Sequence, residues 1–395
     1  MKIIILFFSI LAAVSANAQA VADTLCSTPP MGWNSWNCFH RDIDEDKIKE
    51  IADLMVSTGL RDAGYTYLNV DDCWQTGRDN SFRIVADEKK FPSGMKALAD
   101  YVHARGLKFG IYSCAGTKTC AGRPGSRGYE YIDAATYAEW GVDFLKYDWC
   151  NNNGANAREA YYIMSDAIRQ TGHPIVLSIC EWGDNKPWEW GQGIGQMWRI
   201  SPDIVAVCEG DNYWGGASIF SIIDRMAPLW PYSGPGNWND PDMLQVGNGD
   251  LTYDENVMHF SMWCMFSAPL IFGYDLRSAD PKILEILTNR EAIAIDQDRL
   301  GKQAMMFERT GKYHETWVKE LADGGAALCF LNKDDKEWVF DYHFWGFDNI
   351  GMDCTGNLYT VRDIWKHKNI GDTKDRYRFK VPAHGVIMLR LTPAE

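Results

Sequence analysis

The segment Phe144-Leu145-Lys146-Tyr147-Asp148 decides the fold, because an apolar strand-like run ends here in charged side chains. Downstream of it, the sequence predicts an amphipathic helix over Asn156–Gln170 and another apolar strand over Ile175–Ile179. A strand, a helix and a second strand in this order are the repeating pattern of an α/β fold with a parallel sheet.

The same alternation extends in both directions, from about residue 30 to about residue 300. About eight repeats of this kind match the size of a TIM barrel. A doubly wound sheet is the alternative, but it would need a glycine-rich phosphate turn after an early strand, and the sequence offers none. The predicted strands are Met31–Trp36, Tyr65–Val70, Leu107–Tyr112, Phe144–Tyr147, Ile175–Ile179, Met197–Ile200, a strand ending before Asn239, and Leu270–Phe272; the predicted helices are Asp46–Ser57, Met95–Arg105, Asn156–Gln170, Ser218–Leu229 and Pro281–Thr288.

The two ends of the chain differ from this pattern. After residue 303, helical periodicity is absent, and short strand-like stretches separated by turns predict an antiparallel β-sandwich of about 90 residues. At the start, Lys2, the apolar run Ile3–Val14 and the small residues of Ala16-Asn17-Ala18 predict a cleavable signal peptide. An uncleaved anchor is the alternative, but the run is short for a bilayer. We therefore expect a secreted or periplasmic protein with a signal peptide at 1–20, a barrel at 21–303 and a sandwich at 304–395.

Charge and composition exclude several partners. The formal net charge is −14 without a block of basic residues, so nucleic acid is excluded as a partner, whereas a neutral sugar is not. The 11 cysteines and 8 histidines show no metal-ligand spacing, and we expect no metal and no cofactor. We also expect no membrane association once the signal peptide is cleaved. The sequence is compatible with a homo-oligomer and does not fix the oligomeric state.

The carboxyl ends of the predicted strands carry charged and aromatic side chains. In a TIM barrel these ends meet at one mouth, where the catalytic groups lie. Carboxylates, a lysine and an arginine can bind sugar hydroxyls, aromatic rings can cover the apolar face of a pyranose, and two carboxyl groups can hydrolyse a glycosidic bond. The residues at or just beyond these ends are Trp33–Trp36, Asp71, Asp72, Tyr112, Lys146, Asp148, Cys180, Glu181, Trp182, Arg199, Asp203, Asp240 and Asp242.

These motifs resemble, in order and over essentially the whole mature chain, those of glycoside hydrolase family 27. The resemblance implies a metal-independent, anomer-retaining glycosidase that removes terminal α-linked galactose. The motifs that carry it are Pro30-Met31-Gly32-Trp33-Asn34-Ser35-Trp36, Asp71-Asp72-Cys73-Trp74, Leu145-Lys146-Tyr147-Asp148, Cys180-Glu181-Trp182, Arg199 with Asp203, Trp238-Asn239-Asp240-Pro241-Asp242-Met243-Leu244, and Asn289–Gln303.

The resemblance assigns the catalytic pair. Asp148 would be the nucleophile and Asp203 the general acid/base, and Asp211 in the same loop is a rival for the second role. Lys146 lies two residues before Asp148, so both side chains point to one face of the strand, where the ammonium would favour the ionised nucleophile and reach the sugar.

The resemblance also assigns the substrate-binding residues. Asp71 and Asp72 would bind the 4-hydroxyl and 6-hydroxyl groups of galactose, and Asp242 would close the rim of the pocket. Glu181-Trp182 and Arg199 would face the 2-position, where a bulky polar group favours a free hydroxyl over an acetamide. Trp36 and Tyr112 would cover the sugar ring, and a disulfide between Cys120 and Cys150 would line the pocket. We predict a second disulfide between Cys38 and Cys73 because they follow adjacent strands, although Cys38 lies earlier than in plant-like members.

Three other functions compete with this interpretation. An α-N-acetylgalactosaminidase would have smaller residues in place of Glu181-Trp182. A β-L-arabinopyranosidase acts on a sugar that lacks the 6-hydroxymethyl group and would not need the pair Asp71-Asp72. A catalytically inactive carbohydrate-binding protein would not have to retain both Asp148 and Asp203.

Overall fold

The computed structural model describes residues 25–213, 215–344, 354 and 356–394, and the chain divides after Arg199 into two compact units. The predicted signal peptide at residues 1–20 lies outside the described residues. Within the described ranges, no helix combines the length and the apolar character that crossing a bilayer requires.

The first unit contains six parallel strands and a short antiparallel hairpin. The parallel strands are β1 (Met31–Asn34), β2 (Tyr67–Val70), β5 (Lys108–Cys114), β6 (Phe144–Asp148), β7 (Val176–Cys180) and β8 (Met197–Arg199), and the hairpin consists of β3 (Gln75–Arg78) and β4 (Ile84–Ala86). The parallel strands pair in the order β1-β2-β5-β6-β7-β8. Asp148 pairs with Cys114 on one side and with Cys180 on the other, so the ends of three strands lie at one level.

Helices separate these strands, and two of the helices begin at a capping side chain. Asp44 accepts a hydrogen bond from the Lys47 amide, and Asn156 accepts one from the Glu159 amide, so each satisfies an amide at a helix start. All five residues of β7 are buried, as expected for a parallel strand covered on both faces. The helices of this unit are Trp36–Phe39, Glu45–Ser57, Leu60–Ala63, Gly94–His103, Glu130–Trp140 and Ala157–Thr171.

The second unit begins by continuing the strand–helix alternation. The predicted helix at Ser218–Leu229 is shorter than expected and ends at Met226, because Pro228 and Pro231 convert the following turns to a 3₁₀ helix. The sequence periodicity missed the helix Tyr253–Met265, which is buried on every face from Asn256 onward and therefore lacks an amphipathic pattern. The elements are β9 (Trp238–Asp240), β10 (Leu270–Phe272) and the helices Ile219–Met226, Tyr253–Met265, Pro281–Leu287 and Arg290–Asp296.

The last part of the second unit is antiparallel. Its strands are β11 (Met305–Thr310), β12 (His314–Glu320), β13 (Ala326–Asn332), β14 (Trp338–Tyr342), β15 (Tyr359–Asp363), β16 (Lys368–Asp372), β17 (Tyr377–Val381) and β18 (Val386–Pro393). Six of them pair in the order β11-β12-β13-β18-β15-β16, and β14 pairs with β17. Phe330, Leu328 and Phe379 belong to one buried apolar cluster of these strands. The predicted border between residues 303 and 304 falls in the connection between the last helix and β11.

Candidate active site

Asp71, which follows β2, is the centre of a buried polar cluster. Its Oδ2 accepts hydrogen bonds from Asn34 Nδ2 at 2.8 Å and from Lys146 Nζ at 2.9 Å. Its backbone amide donates to Ser35 Oγ at 2.9 Å. The Asp71 side chain is 2% exposed and that of Lys146 is 17% exposed, so the ion pair is largely shielded from water. The stability of a shielded ion pair depends strongly on its geometry.

Asp72 is buried beside Asp71 and faces a different set of donors. Its Oδ1 accepts from the Cys73 amide at 2.7 Å, and its Oδ2 accepts from the Ala121 amide at 2.9 Å. Burial raises the pKa of this carboxyl group above its usual value. Asp72 therefore holds the loop that contains Cys120 in place at the end of the strands.

Asp148 ends β6 with a carboxylate that is bound at both oxygens. Tyr112 donates its hydroxyl to Oδ2 at 2.8 Å, and the Trp149 amide donates to Oδ1 at 2.8 Å. Burial, followed by the charge of Asp148, raises the pKa of Tyr112 well above its usual value, so the phenol stays a donor. Residue Asp148 is 6% exposed. This arrangement leaves a fixed, nearly dry carboxylate at the strand end, as an attacking group requires.

The predicted disulfide between Cys120 and Cys150 is formed. Its sulfur atoms and a carboxylate oxygen of Asp148 lie within 4.8 Å of one another. Because the two sulfurs are bonded to each other, neither is a thiolate that could bind a metal ion. The Tyr112 hydroxyl lies 3.4 Å from Cys120 Sγ, so the disulfide adjoins the same tyrosine that binds Asp148.

The predicted disulfide between Cys38 and Cys73 is wrong. Both residues are thiols in the structure. Cys38 lies in the short helix Trp36–Phe39, with its Sγ 3.8 Å from the Ser35 carbonyl oxygen. Cys73 is buried beyond the end of β2, and burial raises the pKa of its thiol. Adjacent strands therefore did not suffice to bring these side chains together, because each strand is followed by a different local turn.

Glu181 is a fully buried carboxyl group after β7. Its Oε2 accepts from the backbone and side-chain nitrogens of Asn185, each at 2.7 Å, whereas its Oε1 has no hydrogen-bond partner among the described residues. Burial raises the pKa of Glu181 to about 7. Arg199 is also buried and places Nη1 3.8 Å from Cys180 Sγ, while Trp182 is half-buried with a φ of 62°.

In the second unit, Asp242 is connected to the segment of Asp203. Asp242 Oδ2 accepts from the amide of Ile204, the residue after Asp203, at 2.8 Å. Its carbonyl oxygen accepts from Trp263 Nε1 at 2.8 Å, and its φ of 79° lies in the left-handed region. Asp242 is buried and Asp203 is exposed. Asp242 thus positions the backbone that presents Asp203.

The rival carboxylate, Asp211, has a structural role in the same loop. Its Oδ1 accepts from the Ser218 amide at 2.9 Å and from Ser218 Oγ at 3.1 Å. Ser218 in turn caps the helix Ile219–Met226. The backbone hydrogen bond lowers the pKa of Asp211. A carboxylate with a depressed pKa is a poor proton donor, which favours Asp203 as the acid.

Asn34 and Ser35 belong to the first sequence motif, which by itself indicates no role for either side chain. In the structure, Asn34 Oδ1 accepts from the Trp36 amide at 2.8 Å while its Nδ2 binds Asp71. Ser35 Oγ binds the Asp71 backbone. Trp36 is half-buried, with its ring 5.6 Å from that of His40 in an edge-to-face arrangement. The position of Asn34 and Ser35 at the end of β1, which pairs with β2, is the sequence feature that could have indicated their contacts with Asp71.

Comparisons with known proteins agree with this geometry. A family profile described as alpha galactosidase A matches residues 28–298, and one described as alpha galactosidase C-terminal beta sandwich domain matches residues 311–391. Alpha-galactosidase A of Cellvibrio japonicus is 49% identical over 98% of this chain and 96% of its own length. A probable alpha-galactosidase of Dictyostelium discoideum is 44% identical over 96% of each chain.

Solved structures agree as well. The structure of the α-galactosidase of Saccharomyces cerevisiae with raffinose has a TM-score of 0.88 to this chain, at 33% identity, and the match covers 94% of this chain and 99% of that one. The predicted fold class, a (β/α)8 TIM barrel with a C-terminal antiparallel β-sandwich, is therefore confirmed. The chain belongs to glycoside hydrolase family 27, the α-galactosidase family.

Proposed function

We propose that the chain is a retaining α-galactosidase that removes terminal α-linked galactose from oligosaccharides or galactosylated polymers. Membership of the family and identities of 43–49% to curated α-galactosidases over nearly the whole chain support this reaction. The structural observation that carries the proposal is the dry carboxylate of Asp148, bound by Tyr112 at the end of β6.

The proposed mechanism is a double displacement in which Asp148 and Asp203 act in turn. A carboxylate oxygen of Asp148 attacks the anomeric carbon, and the bond to the leaving oxygen breaks as Asp203 donates a proton to it. Asp203, now ionised, accepts a proton from water while the water oxygen attacks the anomeric carbon and the bond to Asp148 breaks. Galactose leaves with its original anomeric configuration, and both carboxyl groups return to their starting states.

Substrate choice is proposed to depend on the cluster around Asp71. Asp71, Asp72 and Lys146 together offer carboxylate acceptors and an ammonium donor at the strand ends. Such a set suits the axial 4-hydroxyl and the 6-hydroxyl group of galactose. Because a β-L-arabinopyranoside lacks the 6-hydroxymethyl group, the retained pair of aspartates disfavours that rival.

The 2-position is proposed to lie near Glu181 and Arg199, which are both buried polar groups. Glu181 Oε1 has no hydrogen-bond partner among the described residues and could accept from a sugar hydroxyl. Trp182 leaves less space than the small residues of an N-acetylgalactosaminidase would. These features favour a free 2-hydroxyl group over an acetamide.

We further propose that residues 1–20 direct export and are removed, giving a secreted or periplasmic enzyme. The charged start, the apolar run and the small-residue sites support this proposal. N-terminal sequencing of the protein recovered from the periplasm or medium is the test, and retention of Met1 in the mature protein would contradict it.

The nucleophile is tested by Asp148→Ala. We expect a loss of turnover of more than about 10⁴-fold, because the covalent intermediate cannot form. Added azide should restore turnover and give a β-galactosyl azide, since the small anion can attack from the vacated side. Near-normal turnover of Asp148→Ala would show that another group is the nucleophile.

Substrate choice is tested with a panel of p-nitrophenyl glycosides. We expect the α-galactoside to have the highest kcat/KM, above the α-N-acetylgalactosaminide and the β-L-arabinopyranoside. A higher kcat/KM on either of the other two would contradict the assignment of galactose while leaving the hydrolytic mechanism intact. No cleavage of any glycoside would favour the inactive carbohydrate-binding alternative.

A further inference from the structure

Three potential metal ligands that are distant in the sequence lie close together in the second unit. None of them is among the residues proposed to act on substrate. Cys208 lies in the loop after Asp203, Glu255 in the first turn of the helix Tyr253–Met265, and His384 between β17 and β18. One ligand atom from each residue lies within 4.8 Å of the other two. Residue Cys208 is 5% exposed, and the side chains of His384 and Glu255 are 20% and 16% exposed, so the cluster is largely shielded from water.

The two nitrogens of His384 face different groups. Nδ1 lies 2.9 Å from Glu255 Oε1, on the side of the cluster. Nε2 lies 3.0 Å from Asp335 Oδ1, an ion-pair distance that lacks hydrogen-bond alignment. Because the Asp335 side chain is 87% exposed, a small rotation would align it. A histidine that binds a metal usually donates its second ring N–H to a carboxylate, and Asp335 occupies that position.

Glu255 is also held in place independently of His384. Its Oε2 accepts from the Thr252 amide at 2.7 Å in a capping box, in which the Thr252 side chain binds the Glu255 amide in return. This leaves Oε1 as the oxygen that faces the cluster. The ring of Phe220 packs edge-to-face against His384 with the centroids 5.4 Å apart. The carboxylate and the imidazole are thus both oriented by neighbours outside the cluster.

Charge and geometry both suit a zinc-type ion. A thiolate and a carboxylate balance the charge of a divalent cation when the imidazole is neutral, so the filled site would bury no net charge. Bond lengths of about 2.0–2.3 Å in a tetrahedron separate the ligand atoms by roughly 3.3–3.6 Å, within reach of small side-chain rotations from the observed positions. A thiolate and an imidazole favour zinc over the hard cations magnesium and calcium.

We propose that Cys208, Glu255 and His384 form a binding site for a divalent transition metal of the zinc type, with water as the fourth ligand. The arrangement without a metal is an ion pair between His384 and Glu255, with the Cys208 thiol hydrogen-bonded to the same carboxylate. The sequence predicted no metal, because the three ligands are 47 and 129 residues apart and show no ligand spacing.

A metal here would stabilise the loop that leads from Asp203 to the helix Ile219–Met226. The Cys208 carbonyl already accepts from the Phe220 amide at 3.0 Å, and the Val207 carbonyl accepts from the Ile219 amide at 3.0 Å. Coordination of the Cys208 side chain would add a constraint on the other side of this backbone. Metal binding at this cluster does not depend on the proposed function.

The test uses the full mature chain, kept non-reducing and freed of metal by dialysis against a chelator. Zn²⁺ is measured by equilibrium dialysis, and Co²⁺ by its visible spectrum and its thiolate-to-metal charge-transfer band. We expect one ion per chain, with a Co²⁺ spectrum of a tetrahedral site that has one sulfur ligand. We also expect Zn²⁺ to raise the Tm, because binding favours the folded chain.

Three variants distinguish this site from adventitious binding. Cys208→Ser should abolish the charge-transfer band and weaken Zn²⁺ binding by more than about 100-fold. Glu255→Gln removes the anionic ligand but can keep the capping box, so it should weaken binding at least about tenfold while remaining folded. Cys38→Ser is the control, because it makes the same substitution at a thiol outside the cluster, and it should change neither measurement. Absence of stoichiometric binding to the wild-type chain, or a charge-transfer band that survives in Cys208→Ser, would overturn the proposal.

Discussion

The substitution Glu181→Gln tests whether a buried charge opposes the stability of the folded protein. Glu181 is fully buried, with Oε2 bound twice by Asn185 and Oε1 without a hydrogen-bond partner among the described residues. Burial is the main reason that its pKa rises from 4.5 to about 7. Glutamine has nearly the same shape and can still accept from Asn185, but it carries no charge at any pH.

The direction of the effect follows from proton linkage. Between pH 4.5 and about 7, the folded chain keeps a proton on Glu181 that the unfolded chain has lost, so the free energy of unfolding falls as the pH rises. A rise in pKa from 4.5 to about 7 corresponds to about 3 kcal/mol, at about 1.4 kcal/mol per pH unit. This contribution is fully present below pH 4.5 and is lost above about pH 7. The free energy of unfolding of Glu181→Gln should therefore exceed that of the wild-type chain by almost nothing at pH 4.5 and by about 3 kcal/mol at pH 8.

Urea unfolding at pH 5 and pH 8 measures this difference, with the disulfide kept intact in both chains. Tryptophan fluorescence and circular dichroism should give coincident transitions, which is the condition for comparing free energies. Glu88→Gln is the control, because Glu88 is exposed and its substitution should give the same small difference at both pH values. An advantage of Glu181→Gln that is equal at the two pH values, or larger at pH 5, would refute the reasoning.

Three further predictions concern the other polar groups of the site. Lys146→Met should lower kcat/KM for an α-galactoside by about 10- to 100-fold, because it removes a charge-assisted hydrogen bond and leaves the buried carboxylate of Asp71 without its cationic partner; a change below threefold would contradict this. Asp203→Asn should lower kcat on a substrate with a poor leaving group by about 100-fold or more, whereas Asp211→Ala should keep kcat within about twofold and lose about 1 kcal/mol of unfolding free energy with the Ser218 contact; the reverse pattern would make Asp211 the acid. Cys38→Ser should leave the Tm nearly unchanged under oxidising conditions, since loss of a disulfide would cost about 2–5 kcal/mol; a large drop would show that the bond to Cys73 forms after all.

Local sequence signals predicted most of the barrel elements. The apolar strand over Phe144–Tyr147 is observed as β6, and the predicted strand at Leu270–Phe272 has the same limits as β10. These signals are reliable because burial of strands and amphipathic helices imposes a short periodicity on neighbouring residues. They failed for the helix Tyr253–Met265, which is buried on every face from Asn256 onward and so has no amphipathic pattern.

The motifs at strand ends supplied the candidate site residues, but they did not specify the contacts that these residues make. The sequence placed Lys146 on the same face of its strand as Asp148, and the structure adds an ion pair between the Lys146 ammonium and Asp71, 75 residues earlier in the chain. Asp203 and Asp211 could not be separated firmly by spacing, and the contact of Asp211 with Ser218 supplies a physical distinction. Side-chain partners of this kind depend on distances across neighbouring strands and loops, which periodicity does not record.

By itself, the sequence determined the strand–helix alternation, the residues at the strand ends and the resemblance to the family, because each of these features depends on residues that are close together in the sequence. Only the tertiary structure decided that Cys38 and Cys73 remain thiols, that Asp242 holds the backbone of Ile204, and that Cys208 meets His384. The physical reason is that such contacts form only when folding brings distant segments together. The contribution of each contact to the free energy of folding depends on burial and on the alignment of the groups, and no local sequence pattern specifies either.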